Sequence, residues 1–159
     1  MKTLKLFIAD DHEIMRMGLR TLLETQLGWT IVGEAVNGEE AVEMILELKP
    51  DIALIDISMP KLSGLDAARR LAEQGCRTKI LILSAHDSSQ VIADVLDSGA
   101  KGYVLKSEAA RDLVAAVDAI RANHTFFTPK VADVVLERHM KRLTDLASRQ
   151  ADGEKKAHT

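Results

Sequence analysis

Apolar residues in this chain follow two rhythms that alternate along its length. Leu4-Lys5-Leu6-Phe7-Ile8-Ala9 is a short, mostly apolar run that ends in acids, the pattern of a buried strand. Ile14, Met15, Met17, Leu19, Leu22, Leu23 and Leu27 then recur at helical spacing, and Gly28 stops that helix. Thr30–Val36 reads as a second strand, turned by Asn37-Gly38. Ala41, Val42, Ile45, Leu46 and Leu48 mark a second helix closed by Lys49-Pro50. Ile52–Ile55 is a third strand running into Asp56. A loop, Met59-Pro60-Lys61-Leu62-Ser63-Gly64, leads to a helix through Ala67, Ala68 and Leu71. Lys79–Ser84 is the fourth strand, and Val91, Ile92, Val95 and Leu96 carry a helix to Gly99. Gly102–Lys106 is the fifth strand, and Leu113–Ile120 lies in the fifth helix.

Five strand–helix units in succession predict an α/β fold, a doubly wound five-stranded parallel sheet with helices on both faces. Most strands are continuous apolar runs, as expected when both faces are covered. The length, 159 residues, suits one ordinary domain with a modest extension. Hydrophobic residues make up 47% and charged residues 28%, a globular composition. Net charge is −3, so bulk electrostatics offer no attraction to nucleic acid or an anionic membrane. Phe7, Trp29, Tyr103, Phe126 and Phe127 are the only aromatics, too few for a base-stacking platform. Cys76 is the only cysteine, which excludes an internal disulfide and a cysteine-based zinc cluster. The N-terminus lacks the long apolar stretch of a signal peptide, and no run approaches the roughly 20 residues of a membrane helix. The expected location is the cytoplasm, with no membrane partner.

In an open parallel sheet, ligand sites lie beyond the carboxyl ends of the strands. After the first strand come Asp10 and Asp11; after the third, Asp56; after the fourth, Ser84; at the end of the fifth, Lys106. Any one of these alone would be an ordinary polar strand end. Together they predict one cluster of three carboxylates, a hydroxyl and an ammonium. Carboxylates so close cannot all stay ionised without a counter-charge, and a hard divalent cation such as Mg²⁺ supplies one. A carboxylate beside Mg²⁺ can attack phosphorus, with Lys106 offsetting charge on the phosphoryl oxygens. Neither G-x-G-x-x-G nor the P-loop pattern occurs, so nucleotide binding has no support.

Asp10-Asp11, Asp56-Ile57-Ser58-Met59-Pro60 with Gly64 following, Ser84-Ala85 and Lys106 resemble the receiver domain of two-component response regulators. The resemblance covers about residues 4–122. Ala9-Asp10-Asp11-His12 and Tyr103-Val104-Leu105-Lys106-Ser107 further resemble the NarL/FixJ subclass, whose receivers are normally followed by a LuxR-type helix-turn-helix DNA-binding domain. The resemblance implies a flavodoxin-like fold and a phosphoacceptor rather than an enzyme, with autophosphatase activity as a side reaction. It implies Asp56 as phosphoacceptor, and Asp11, Asp56 and the backbone carbonyl of Ser58 as ligands of Mg²⁺ (or Mn²⁺), with Asp10 close by. Lys106 would pair with the phosphoryl group, Ser84 would move to it, and Tyr103 would change rotamer with Ser84. The implied partner is a histidine kinase. Read alone, Tyr103 is a half-buried strand aromatic, His12 begins the first helix and points outward, and Met15, Met17 and Met44 are packing residues.

From His124 the character changes, dividing the chain into a receiver over 1–123 and an extension over 124–159. The extension carries seven Lys/Arg against five Asp/Glu, and the remainder 14 against 19. Thr128-Pro129 marks a helix start. Ala132, Leu136, Met140, Leu143 and Ala147 then share one face, flanked by Val135 and Leu146. That stripe fits a helix seeking a partner, in a homodimer, and equally a linker packed on its own domain. Residues 150–159 are polar and expected to be disordered. A helix-turn-helix module needs roughly 60 further residues, so the chain is expected to bind no nucleic acid itself. It is either a stand-alone receiver acting through protein contacts or part of a longer transcriptional regulator, with the second favoured. A Mg²⁺-dependent phosphatase with an aspartyl nucleophile is the competing class. Its nucleophile follows the first strand with a second Asp two positions on, and here His12 occupies that place.

Overall fold

The computed structural model describes the backbone of residues 3–157 and the side chains of residues 3–150. Its elements run β1 (Leu4–Ala9), α1 (Glu13–Glu24), β2 (Trp29–Ala35), α2 (Gly38–Leu48), β3 (Ile52–Asp56), α3 (Gly64–Glu73), β4 (Lys79–Ser84), α4 (Ser89–Asp97), β5 (Gly102–Leu105), α5 (Ala109–Arg121) and α6 (Pro129–Ala157). A 3-10 turn, Lys106–Glu108, joins β5 to α5. The five strands are all parallel, in the order β2-β1-β3-β4-β5. Strand order reverses beside β1, which lies between β2 and β3, and that reversal opens a crevice at the carboxyl edge.

Burial explains the apolar runs. All five residues of β3 are buried, as are Leu6–Ala9 of β1 and Ile80–Ser84 of β4. Leu19 and Leu23 of α1 and Leu113, Ala116, Val117 and Ile120 of α5 close over one side of the sheet with Leu6, Ile8, Leu54 and Leu83. On the helical side, Asn37, Ser63 and Ser88 cap α2, α3 and α4, each accepting a backbone N–H from the residue three positions on. Lys49 ends α2 in the left-handed region, with φ of 51°, directly before Pro50.

Two findings lie outside the sequence pattern. Tyr103 N–H donates to the Phe126 carbonyl at 2.9 Å, and Phe126 N–H to the Lys101 carbonyl at 3.0 Å. The stretch after α5 thus pairs with the free edge of β5, which would otherwise expose unpaired backbone groups. The first compact unit accordingly extends to Phe127, and the second begins at Thr128. The other finding is a correction. α6 continues to Ala157, through most of the segment whose polarity predicts disorder. Ala151, Glu154, Lys155, Lys156 and Ala157 are good helix formers, so a polar composition does not by itself exclude a helix. The expectation for residues 158–159 lies outside the described residues.

Candidate phosphoacceptor and metal site

The site is assembled by strand ends. Asp10 directly follows β1, Asp56 and Ser84 are the last residues of β3 and β4, and Lys106 follows β5. Because β1, β3, β4 and β5 are adjacent and parallel, these ends meet at one edge of the sheet. Asp10 and Asp56 are buried, at 0% and 2% exposure, although both are carboxylic acids. Lys106 reaches across: its Nζ lies 2.9 Å from Asp56 Oδ2 and 2.9 Å from Asp10 Oδ2. The contact with Asp56 is a hydrogen bond. The one with Asp10 is an ion pair at the same distance, so the ammonium bridges the two carboxylates.

Electrostatics follow from this crowding. Burial pushes the Asp56 carboxyl above its ordinary value; the Lys106 hydrogen bond opposes this, and the charge of Asp10 adds to it. Burial pulls the Lys106 ammonium down, but hydrogen bonding to the carboxylates and their charges outweigh it, and the net shift is upward. Lys106 therefore stays charged, and Asp10, Asp11 and Asp56 outnumber it three to one.

Asp11 is more open, with a third of its side chain exposed. His12 precedes α1 as expected and its ring is exposed, but the ring does not simply point outward. Its Nδ1 lies 3.1 Å from Asp11 Oδ1 and 3.2 Å from Asp10 Oδ1. Oxygen or nitrogen atoms of Asp10, Asp11, His12 and Asp56 all fall within 4.8 Å of one another. Three carboxylates facing a single ammonium make an oxygen-rich, negatively charged set that fits a hard dication. Ser58 lies in the loop after β3, its N–H 3.3 Å from Asp56 Oδ1.

That loop is held by close approach. Gly64 N–H donates to the Ile57 carbonyl at 2.9 Å. A Cβ on Gly64 would stand 2.1 Å from the Asp56 carbonyl oxygen, and one on Gly38 would stand 2.0 Å from that of Leu62. Only glycine fits at either place.

Ser84 and Tyr103 meet elsewhere. Ser84 Oγ donates to the His86 carbonyl at 2.7 Å and accepts the His86 N–H at 3.0 Å. Tyr103 OH donates to the same carbonyl at 2.6 Å. Tyr103 is fully buried rather than half-buried, and burial pushes its hydroxyl up to about 12. Among the methionines, Met15 packs on the core and Met17 is exposed. Sequence reasoning missed Arg16, whose guanidinium donates to the Asp10 carbonyl at 2.7 Å and faces Glu34 at 3.5 Å. A cation one helical turn into α1, with an acid near the end of β2, was the available signal.

The chain matches the response regulator receiver domain over residues 6–118. It is 32% identical over 142 residues to the transcriptional regulatory protein DegU of Brevibacillus brevis, covering 89% of this chain and 60% of that protein. It is 37% identical to the transcriptional regulatory protein YdfI of Bacillus subtilis, covering 87% of this chain and 65% of that protein. The chain thus spans less than two thirds of the length of these two relatives. Among solved structures, a LuxR-family two-component response regulator from Aurantimonas superposes with a TM-score of 0.80 at 33% identity, covering 87% of this chain and 99% of the other. The signal receiver domain of NarL from Mycobacterium tuberculosis gives a TM-score of 0.74 at 31% identity, covering 77% and 98%. Receiver domains are phosphoacceptors that bind Mg²⁺ at an acidic cluster, and no helix among the described residues is long and apolar enough to cross a membrane. With its strand order, its strand-end acids and these relatives, the chain belongs to the response regulator receiver domain family of two-component systems, among the LuxR-family regulators.

Proposed function

We propose that Asp56 accepts a phosphoryl group from the phosphohistidine of a histidine kinase and that residues 1–123 form the switching unit. The observation that carries this reading is Lys106 Nζ at 2.9 Å from both Asp56 and Asp10, carboxylates delivered by different strands. An Asp56 carboxylate oxygen attacks phosphorus, the O–P bond forms as the donor's N–P bond breaks, and the imidazole leaves with the electron pair. Asp11, Asp56 and the Ser58 carbonyl would hold Mg²⁺ (or Mn²⁺), with Asp10 beside them; the bound ion offsets charge on the phosphoryl oxygens. Lys106 would also offset that charge as its hold on the Asp56 carboxylate gives way to the phosphoryl group.

Ser84 is the mobile element in this reading. Its hydroxyl leaves the His86 carbonyl for the phosphoryl oxygens, which add charge and acceptors at Asp56. Tyr103 shares that carbonyl, so the departure of Ser84 changes the hydrogen bonding of a buried aromatic in β5. Residues 124–159 serve as a linker, with a cytoplasmic DNA-binding output and a homodimer as the downstream consequence. The exposure of Leu136, Met140 and Leu143 on α6 supports the homodimer.

The test uses acetyl phosphate and Mg²⁺, read by intact-mass spectrometry. The native chain gains one phosphoryl group and Asp56→Asn gains none. Equal labelling of the Asn variant removes Asp56 as acceptor.

A further inference from the structure

We infer that Arg16 is a positioning residue of the phosphoacceptor site: its guanidinium fixes the peptide between Asp10 and Asp11 and so aims the Asp11 carboxylate, with Glu34 holding the guanidinium in place. This rests on the reading of Asp11 as a Mg²⁺ ligand and adds a residue outside the acidic pocket. Arg16 lies on α1, and its Nη1 donates to the Asp10 carbonyl at 2.7 Å. That oxygen belongs to the planar peptide that joins Asp10 to Asp11. A hydrogen bond there sets the direction in which the chain leaves β1.

Asp11 depends on that direction more than its neighbours do. Lys106 holds the side chains of Asp10 and Asp56, each at 2.9 Å. Asp11 is a third exposed and faces the exposed ring of His12, a contact that solvent weakens. Its aim is therefore set chiefly by its backbone. On the near side, Asp10 N–H donates to the Ala35 carbonyl at 3.1 Å. Pairing with β2 thus fixes the amide before Asp10, and Arg16 fixes the one after it.

Glu34 steadies the guanidinium. It stands on β2 beside Ile8 of β1. Its Oε2 accepts from Arg20 Nε and Nη2 at 3.0 and 2.6 Å, which leaves Oε1 facing Arg16 Nε at 3.5 Å. Arg16 spans a carboxylate and a main-chain carbonyl through its planar fork, which a single ammonium cannot do. An arginine that only dressed the surface would lie in water. The Arg16 side chain is 16% exposed, against 40% for Arg20.

The experiment titrates the full chain with Mg²⁺ by calorimetry, beside urea unfolding in EDTA and the initial rate of labelling by acetyl phosphate across Mg²⁺ concentrations. Arg16→Met keeps the apolar length and is expected to bind Mg²⁺ about tenfold more weakly. Its half-saturating Mg²⁺ for labelling should rise by the same factor, while the rate at saturating Mg²⁺ stays within about twofold of native. In EDTA the amide resonances of Asp11 and His12 should move. Arg16→Gln, too short to reach the carbonyl, carries the same expectation and replaces Arg16→Met should that variant not fold. Arg16→Lys retains a donor for the carbonyl and should hold Mg²⁺ within about threefold of native. Native Mg²⁺ affinity in the folded Met or Gln variant, or a lysine variant as weak as they are, would overturn the role of Arg16 and leave the Mg²⁺ site standing. So would a lower saturated rate with unchanged half-saturation. Absence of Mg²⁺ binding by the native chain, or its retention by Asp11→Asn, overturns the metal reading and the role of Arg16 with it.

Discussion

Replacing Lys106 with methionine removes the one cation that bridges two buried carboxylates and keeps much of the side chain's apolar length. At 2.9 Å and an effective dielectric of 20, each ion pair carries roughly 6 kcal/mol of gross attraction. Much of that repays desolvation already incurred in burying Asp10 and Asp56. Deleting one partner of a buried pair costs about 3–5 kcal/mol. The Lys106 side chain retains 18% exposure, which places the expected loss near 3 kcal/mol. For a chain of this size that corresponds to a fall in Tm of roughly 6–12 °C. The assay is urea unfolding at pH 7.5, with EDTA and then with Mg²⁺. Mg²⁺ restores positive charge to the site, so the deficit in EDTA should shrink when it is added. It should shrink on acidification as well. Burial already holds the Asp56 carboxyl above its ordinary value, and losing Lys106 raises it further. The native state then binds a proton at Asp56 more readily than the unfolded chain, so the contribution of this group to stability is greatest at low pH and is lost as pH rises from the usual carboxylate range through the raised value. A deficit under about 0.5 kcal/mol in EDTA, or one indifferent to both Mg²⁺ and pH, would refute the bridging role.

Gly64→Ala drives a Cβ to 2.1 Å from the Asp56 carbonyl oxygen; the β3–α3 loop must shift, at a cost of about 2–3 kcal/mol in urea unfolding and with weakened Mg²⁺ binding in calorimetry. Tyr103→Phe removes one hydrogen bond, but the His86 carbonyl keeps Ser84 Oγ at 2.7 Å, so the stability loss should be only about 1 kcal/mol, read in the same assay. Leu136→Glu with Met140→Glu places charge on the exposed face of α6 and should abolish self-association of the phosphorylated chain in sedimentation; unchanged association would remove α6 from the dimer contact.

The fold class and the residues at its functional edge were legible because buried parallel strands read as uninterrupted apolar runs. An apolar run that stops at Asp10, at Asp56 or at Ser84 marks both the end of a strand and the start of the exposed edge. The caps of α2, α3 and α4 are local features too, since Asn37, Ser63 and Ser88 each bond only three residues ahead, but the apolar rhythm does not mark them. What local pattern does not encode is which strands become neighbours. The order β2-β1-β3-β4-β5 brings Lys106 to Asp56 across 50 positions of sequence, and no periodicity measures that distance.

Only tertiary structure decided that Tyr103 is fully enclosed, because its burial depends on what covers β5. The same holds for Phe126, whose backbone closes the free strand edge, and for Arg16, which reaches back to the carbonyl of Asp10. His12 illustrates the division most clearly. Sequence places it at the start of α1, while the direction of its ring follows from two carboxylates whose positions the sheet sets. Composition read the end of α6 as disordered, because polarity describes what a surface faces and not the helical propensity of the residues beneath it. Rhythm and strand-end chemistry are properties of neighbours along the chain; the assembled site is a property of neighbours across it.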